Sequence, residues 1–316
     1  MTCIKLEDMS EVTQLLWEGV YPAVTTKFTP NDQLDLVAFE KNIEAQIEAG
    51  VAGIVLGGTL GEASSLSNDE KLILLEATLK IANSRVNVIV NIAEQTTAQA
   101  VELAKILEQK GADGLMLLPP MRYAADARET LEYFKVVARS TQLPIMIYNN
   151  PVDYKIPVTL EMFEELSKEA TIQAVKESSR DITYLTKLKI KFGDRFKILS
   201  GVDNLALESL SMGADGWVAG LVCAFPKETV AIYKLAKAGR QKEAIDIYRW
   251  FIPVLELDVH PKLVQYIKLA EAMTGLGTEH VRAPRLTLEG EERKRVESLI
   301  RHAINTRPQL PDYKSL

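Results

Sequence analysis

The stretch IQAVKESS, residues 172–179, closes an apolar run on a lysine. The run is too short for a globular helix and lacks the alternation of a strand with one wet face, so it predicts a parallel strand covered on both sides. Seven more runs share this character: VYPAVTTKF (20–28), GIVLGG (53–58), NVIVNIA (87–93), GLMLLPP (114–120), PIMIYNN (144–150), FKILSG (196–201) and GWVAGL (216–221). The links between them have helical spacing. Asp35 is placed to cap a helix with Leu36, Phe39, Ile43 and Ile47 on one face and Gly50 at its end. Val101, Ala104, Leu107 and Gly111 repeat the scheme after the third run. Strand and helix alternating eight times within about 220 residues predict an α/β fold, a parallel (β/α)8 TIM barrel. A doubly wound open sheet is the competing arrangement, but it usually carries a GxGxxG or GxxxxGK[ST] loop after an early strand, and neither occurs. The barrel with a short N-terminal segment is expected over residues 1–224. Residues 225–316 read as purely helical, and no Pro/Gly/Ser-rich linker sets them apart, so a C-terminal helical extension packed on the barrel is expected.

The 316 residues are 47% hydrophobic, enough for one large core, and the net charge of −6 comes from interspersed acids and bases. With no long basic block, the chain offers no electrostatic footprint for nucleic acid or a membrane surface, which leaves a small metabolite as the expected partner. Two distant cysteines, Cys3 and Cys223, and no apolar run near the roughly 18 residues of a membrane span predict a cytoplasmic protein. The N-terminus MTCIKLEDMSEV lacks the basic start and apolar stretch of a signal peptide.

In such a barrel the active site lies at the C-terminal ends of the strands. There the chain places Thr25 and Thr26, the turn GGTLGE (57–62), PPMRY (119–123), Tyr148, Lys176 and SGVD (200–203) with Gly201. A lysine held by apolar walls has its charged form disfavoured, which makes a neutral amine available for attack on a carbonyl or imine. The iminium so formed withdraws electrons and eases deprotonation or bond cleavage one or two carbons away, with no metal or other cofactor. The plainer alternative for Lys176 is a pairing with Glu177 or an outward-reaching stem. Gly57, Gly58 and Gly61 let the backbone turn so that amides can meet a carboxylate, and Thr59 adds a hydroxyl. Tyr148 can relay protons from hydrogen-bond distance, or it can be an interior aromatic with a satisfied hydroxyl. His260, His280 and His302 match no metal spacing and are read as surface or packing residues, Cys223 as a small core residue, and Glu164 and Glu165 as a solvated helix face.

These residues resemble the dihydrodipicolinate synthase and N-acetylneuraminate lyase family of Schiff-base enzymes. The likeness runs from GVYPAVTTKFT through GGTLGEASSLSNDEK and PIMIYNNP to AVKESS and ILSGVD, with Tyr148 and Lys176 28 positions apart. It implies the barrel with a helical extension, assembled as a homotetramer or homodimer. It also implies Lys176 as the Schiff-base lysine, Tyr148 and Thr59 as its catalytic partners, and Gly58, Leu60, Asn150, Asp153 and Gly201 as substrate-binding positions for a 2-oxo acid or cyclic imine.

Three positions depart from the synthase of that family. Leu60 stands where it has a second threonine hydroxyl, Asp153 where an arginine receives a second carboxylate, and PPMRY, with only Tyr123, where it has a tyrosine pair. YNNP, GGTLGE and GTEHVRAP look closer to the 1-pyrroline-4-hydroxy-2-carboxylate deaminases, so a deaminase giving 2-oxoglutarate semialdehyde and ammonia is expected. In that chemistry Asn149, Asn150 or Asp153 would meet the 4-hydroxyl. The alternatives are 4-hydroxy-tetrahydrodipicolinate synthase, a pyruvate-dependent aldolase or sugar-acid dehydratase, and, outside enzymes, a catalytically silent 2-oxo acid sensor.

Overall fold

The computed structural model describes residues 12–316, so Cys3 and the rest of the N-terminal stretch to residue 11 lie outside it. Eight short strands form one sheet: β1 (Gly19–Pro22), β2 (Gly53–Leu56), β3 (Asn87–Ile92), β4 (Gly114–Leu117), β5 (Ile145–Asn149), β6 (Ile172–Glu177), β7 (Lys197–Ser200) and β8 (Gly216–Ala219). From β2 onward each strand pairs in parallel with the next, and β8 returns to β1. Two bonds, Ala52 N to Val20 O at 2.9 Å and Val24 N to Val55 O at 3.1 Å, close β1 onto β2. The (β/α)8 barrel is the fold of this chain.

Its outer layer comprises α1 (Leu36–Ala49), α2 (Asn68–Ala82), α3 (Thr97–Gln109), α4 (Ala127–Ala138), the single turn α5 (Pro151–Tyr154), α6 (Leu160–Leu166), α7 (Ile182–Phe192), α8 (Ala206–Ser211) and α9 (Pro226–Lys237). The first helix starts where Asp35 accepts a bond from Ala38 N and stops at Gly50, whose φ of 96° is easy for glycine alone. Phe39, Ile43 and Ile47 face the strands from it, and Leu36 is half-buried. The last of these helices, α9, packs against α1, β1 and β8, where an eighth outer helix belongs. It is followed by α10 (Gln241–Leu255), α11 (Leu263–Thr274) and α12 (Gly290–Asn305). Among the described residues no helix is long and apolar enough to cross a membrane.

Two cores result from the period of two along each strand. Tyr21, Val55, Ile89, Met116, Met146 and Ala174 fill the barrel, while Val20, Ile54, Val88, Leu115, Ile147 and Val175 face the helices. One irregularity sets the phase of β6. Ile145 pairs with Ile172 and Met146 with Ala174, so Gln173 is an extra residue. Such a bulge shifts every later side chain to the opposite face. Ile172 therefore faces the helices, yet Ala174 faces the interior. The bulged Gln173 accepts from Leu15 N and Trp17 Nε1, both at 3.2 Å, and ties the entering chain beneath the barrel.

Candidate active site

Lys176 is register partner to Tyr148, both on the inward face. Its Nζ lies 4.1 Å from the centre of the Tyr148 ring, a cation–π contact between adjacent strands. Only 6% of Lys176 is exposed. Burial lowers its pKa to about 8, against the opposing pull of Asp258, Asp203 and Asp153. Glu177, one residue on, faces outward and accepts from Asn149 Nδ2 at 2.7 Å and Ser179 N at 2.6 Å. The pairing of Lys176 with Glu177 is thus precluded by strand geometry.

Around Lys176 the structure gathers all eight site positions expected from sequence. Gly58, Thr59, Leu60, Tyr148, Asn150, Asp153, Lys176 and Gly201 line one pocket of about 610 Å³, its open mouth included. Gly201 is set by space: a Cβ there would lie 2.7 Å from Lys176 Cε and 2.1 Å from Ser178 Oγ. Asn150 caps α5, accepting from Asp153 N at 3.1 Å, and its Nδ2 donates to Tyr148 Oη at 3.2 Å and to Asp153 Oδ2 at 2.7 Å. Asn149 is spent on Glu177 and on Val158 N, away from the pocket. The amides of Thr59 and Leu60 donate to no protein acceptor among the described residues.

Burial pushes the Tyr148 hydroxyl up to about 12, so it remains a proton donor at neutral pH. The edge of Tyr154 meets its ring, centroids 5.6 Å apart, and the Tyr154 hydroxyl is hydrogen-bonded to Thr59 Oγ1. Sequence reasoning missed Tyr154, although it follows Tyr148 by six residues in one strand–helix loop. Tyr123, the residue the strand-4 loop offers instead, is 56% exposed and outside the pocket.

Two further charges were missed. Arg180, in the loop after β6 with a φ of 63°, reaches to 3.7 Å from Asp153 Oδ1 at the pocket mouth. Asp258 enters from the 3-10 turn Glu256–Val259 of the extension, and Val259 and Leu263 beside it complete the roof. Arg180 follows the lysine by four residues and had a positional signal. Asp258 had none.

The remaining residues sit away from this chemistry. Cys223 is fully buried, and burial pushes its thiol up. His260 stacks on Tyr266, while Glu164 and Glu165 pair with lysines on a wet helix face.

Residues 16–303 match the model of the dihydrodipicolinate synthetase family. The 4-hydroxy-tetrahydrodipicolinate synthase of Exiguobacterium sibiricum is 33% identical over 276 residues, covering 86% of this chain and 92% of its own. That of Staphylococcus carnosus is 32% identical over 289 residues, covering 89% and 95%. Among solved structures, the 4-hydroxy-tetrahydrodipicolinate synthase of Methylacidiphilum fumariolicum SolV superposes with a TM-score of 0.87 at 29% identity, covering 91% of this chain and 96% of its own.

Proposed function

The chain belongs to the dihydrodipicolinate synthetase family, and on that footing we propose a Schiff-base enzyme that deaminates a hydroxylated cyclic imine, 1-pyrroline-4-hydroxy-2-carboxylate. The observation that carries this reading is the charge around the buried Lys176: Asp153 and Asp258 line its pocket, and Arg180 is already beside Asp153. A substrate with one carboxylate and a hydroxyl suits these walls better than one with two carboxylates.

In this reading the substrate carboxylate meets the Thr59 and Leu60 amides, and neutral Lys176 attacks C2. The ring C2–N1 bond breaks and leaves a primary amine on C5. Loss of a C3 proton and of the C4 hydroxyl as water gives a C3–C4 double bond conjugated to the iminium. Net transfer of a proton from C5 to C3 then leaves a C4–C5 enamine. Protonation at C4 gives a C5 imine, and hydrolysis there and at C2 releases ammonia, 2-oxoglutarate semialdehyde and Lys176. One water is consumed overall.

Tyr148, whose ring lies 4.1 Å from Lys176 Nζ, hands protons in and out, and Tyr154 with Thr59 extends its path within this same chain. Tyr154→Phe is expected to lower kcat roughly 10²-fold with KM nearly unchanged. Steady-state kinetics checks this, and an unchanged kcat would remove Tyr154 from the path. A homotetramer or homodimer belongs to the same reading on family likeness alone.

A second reading is 4-hydroxy-tetrahydrodipicolinate synthase, condensing pyruvate with aspartate semialdehyde. The names of the relatives favour it over deamination. Arg180 would then have to leave Asp153 to receive the second carboxylate. A panel of the cyclic imine, of pyruvate with aspartate semialdehyde, and of sugar acids separates the two. Ammonia release from the imine at a kcat/KM well above that of the condensation is expected, and the reverse order would give the assignment to the synthase.

A further inference from the structure

We propose that Asp258, brought to the pocket by the C-terminal extension, is the acid that protonates the departing hydroxyl of the substrate. This rests on the deaminase reading and assigns one of its steps. Three carboxyls surround Lys176, and their partners sort them. Asp203 accepts from Trp217 Nε1 at 2.9 Å, Leu221 N at 2.7 Å and Gly220 N at 3.1 Å, so its oxygens are occupied. Asp153 is half exposed, held by Asn150 at 2.7 Å and faced by Arg180, so its oxygens too are engaged. Asp258 takes one long bond, from Asp203 N at 3.3 Å to its Oδ2. Among the described residues no lysine or arginine forms an ion pair with it.

Asp258 and Gly220 both line the pocket, and the other oxygen, Oδ1, lies on the Gly220 side. A Cβ on Gly220 would lie 2.6 Å from that oxygen, so glycine there makes room for the Asp258 carboxyl. The groups facing Asp258 are Asp203 after β7, Lys176 on β6, Arg180 after β6 and Tyr148 on β5. Burial and the neighbouring Asp203 push Asp258 up to about 8, against the opposing pull of Lys176 and Arg180. The carboxyl therefore holds a proton at neutral pH. In the step proposed, the C4–O bond breaks, its electron pair leaves on oxygen, and the Asp258 proton completes a water. The carboxylate formed lies near the Lys176 iminium and regains a proton from solvent at the mouth.

The test pairs Asp258→Asn, which keeps the shape and lacks the acidic proton, with Asp258→Glu. Borohydride is added to enzyme turning over the hydroxylated cyclic imine, and the mass on Lys176 is read beside kcat. The Asn variant should lose roughly 10²-fold or more in kcat. It should also lose the alkaline limb near pH 8 and accumulate a Lys176 adduct that keeps its hydroxyl, one water heavier than the dehydrated one. The Glu variant should recover part of the rate. Wild-type kcat and pH profile in Asp258→Asn, or a fully dehydrated adduct, would overturn the assignment alone. A wild-type enzyme that forms no adduct with the imine would overturn the deaminase reading with it.

Discussion

Lys176→Met is expected to abolish turnover and to make the protein harder to unfold at neutral pH. The two effects share one cause. With its pKa lowered to about 8, Lys176 is mostly protonated at pH 7 and carries its charge where solvation is poor. In the unfolded chain it titrates near 10.5. Between these values the unfolded state binds more protons than the folded one, so stability rises with pH through the window from about 8 to 10.5 and the penalty is fully present below it. A drop of about 2.5 units corresponds to roughly 3 kcal/mol. Methionine also removes the cation facing Asp203 and Asp258, so a net gain of about 1–3 kcal/mol at pH 7 is expected, vanishing by about pH 10.5. Urea midpoints of both proteins at pH 7 and 10 measure it. Turnover should fall on the order of 10⁴-fold or more, because among the described residues no other lysine lines the pocket to form the covalent intermediate. Residual activity near the wild-type level would end the Schiff-base reading, and equal midpoints at pH 7 would show that the buried ammonium is not held at a cost.

Lys268→Ala is expected to destabilise the protein by about 3–5 kcal/mol, the cost of stripping a buried carboxylate of its nearest cation and leaving it, among the described residues, only Arg285, 3.7 Å away. Lys268 on α11 is fully buried and paired with Glu62, the last residue of the GGTLGE turn, itself fully buried. Glu62 has a φ of 57° and also accepts from Arg282 N at 3.0 Å, so the turn owes its shape to the extension. A neighbouring set repeats the arrangement. Glu271 on α11 is 2.8 Å from Lys27 and accepts from Thr25 Oγ1, while Asn42 Nδ2 donates to Leu276 O at 2.8 Å. These contacts join the extension to the catalytic rim. Chemical denaturation of Lys268→Ala beside the double variant Glu62→Leu, Lys268→Met tests the cause. The double variant should recover most of the loss, since the fully buried pair is removed whole and Arg285, partly exposed, keeps its contact with water. Equal loss in both would assign the cost to packing.

The fold was readable because parallel barrel strands are buried on both faces and therefore appear as short continuous apolar runs, each followed by a capped, periodic helix. The rim was readable for a related reason: in this architecture the C-terminal end of any strand is the mouth, so Tyr148, Lys176 and the GGTLGE turn converge once the strands are placed. Asp258 could not be found that way. It lies in a turn of the extension, 82 positions after Lys176, and only the packing of that segment over the mouth makes it a wall of the pocket.

The sequence by itself determined the barrel, the helical extension and the eight positions that meet in one pocket. Which face each strand residue takes was decided by the tertiary structure. A run buried on both sides carries no polar alternation to mark its phase, and the extra Gln173 inverts that phase partway along β6. Ile172 faces the helices, and without the bulge strict alternation would send Lys176 the same way. The bulge turns Lys176 into the barrel beside Tyr148 and sends Glu177 outward to Asn149.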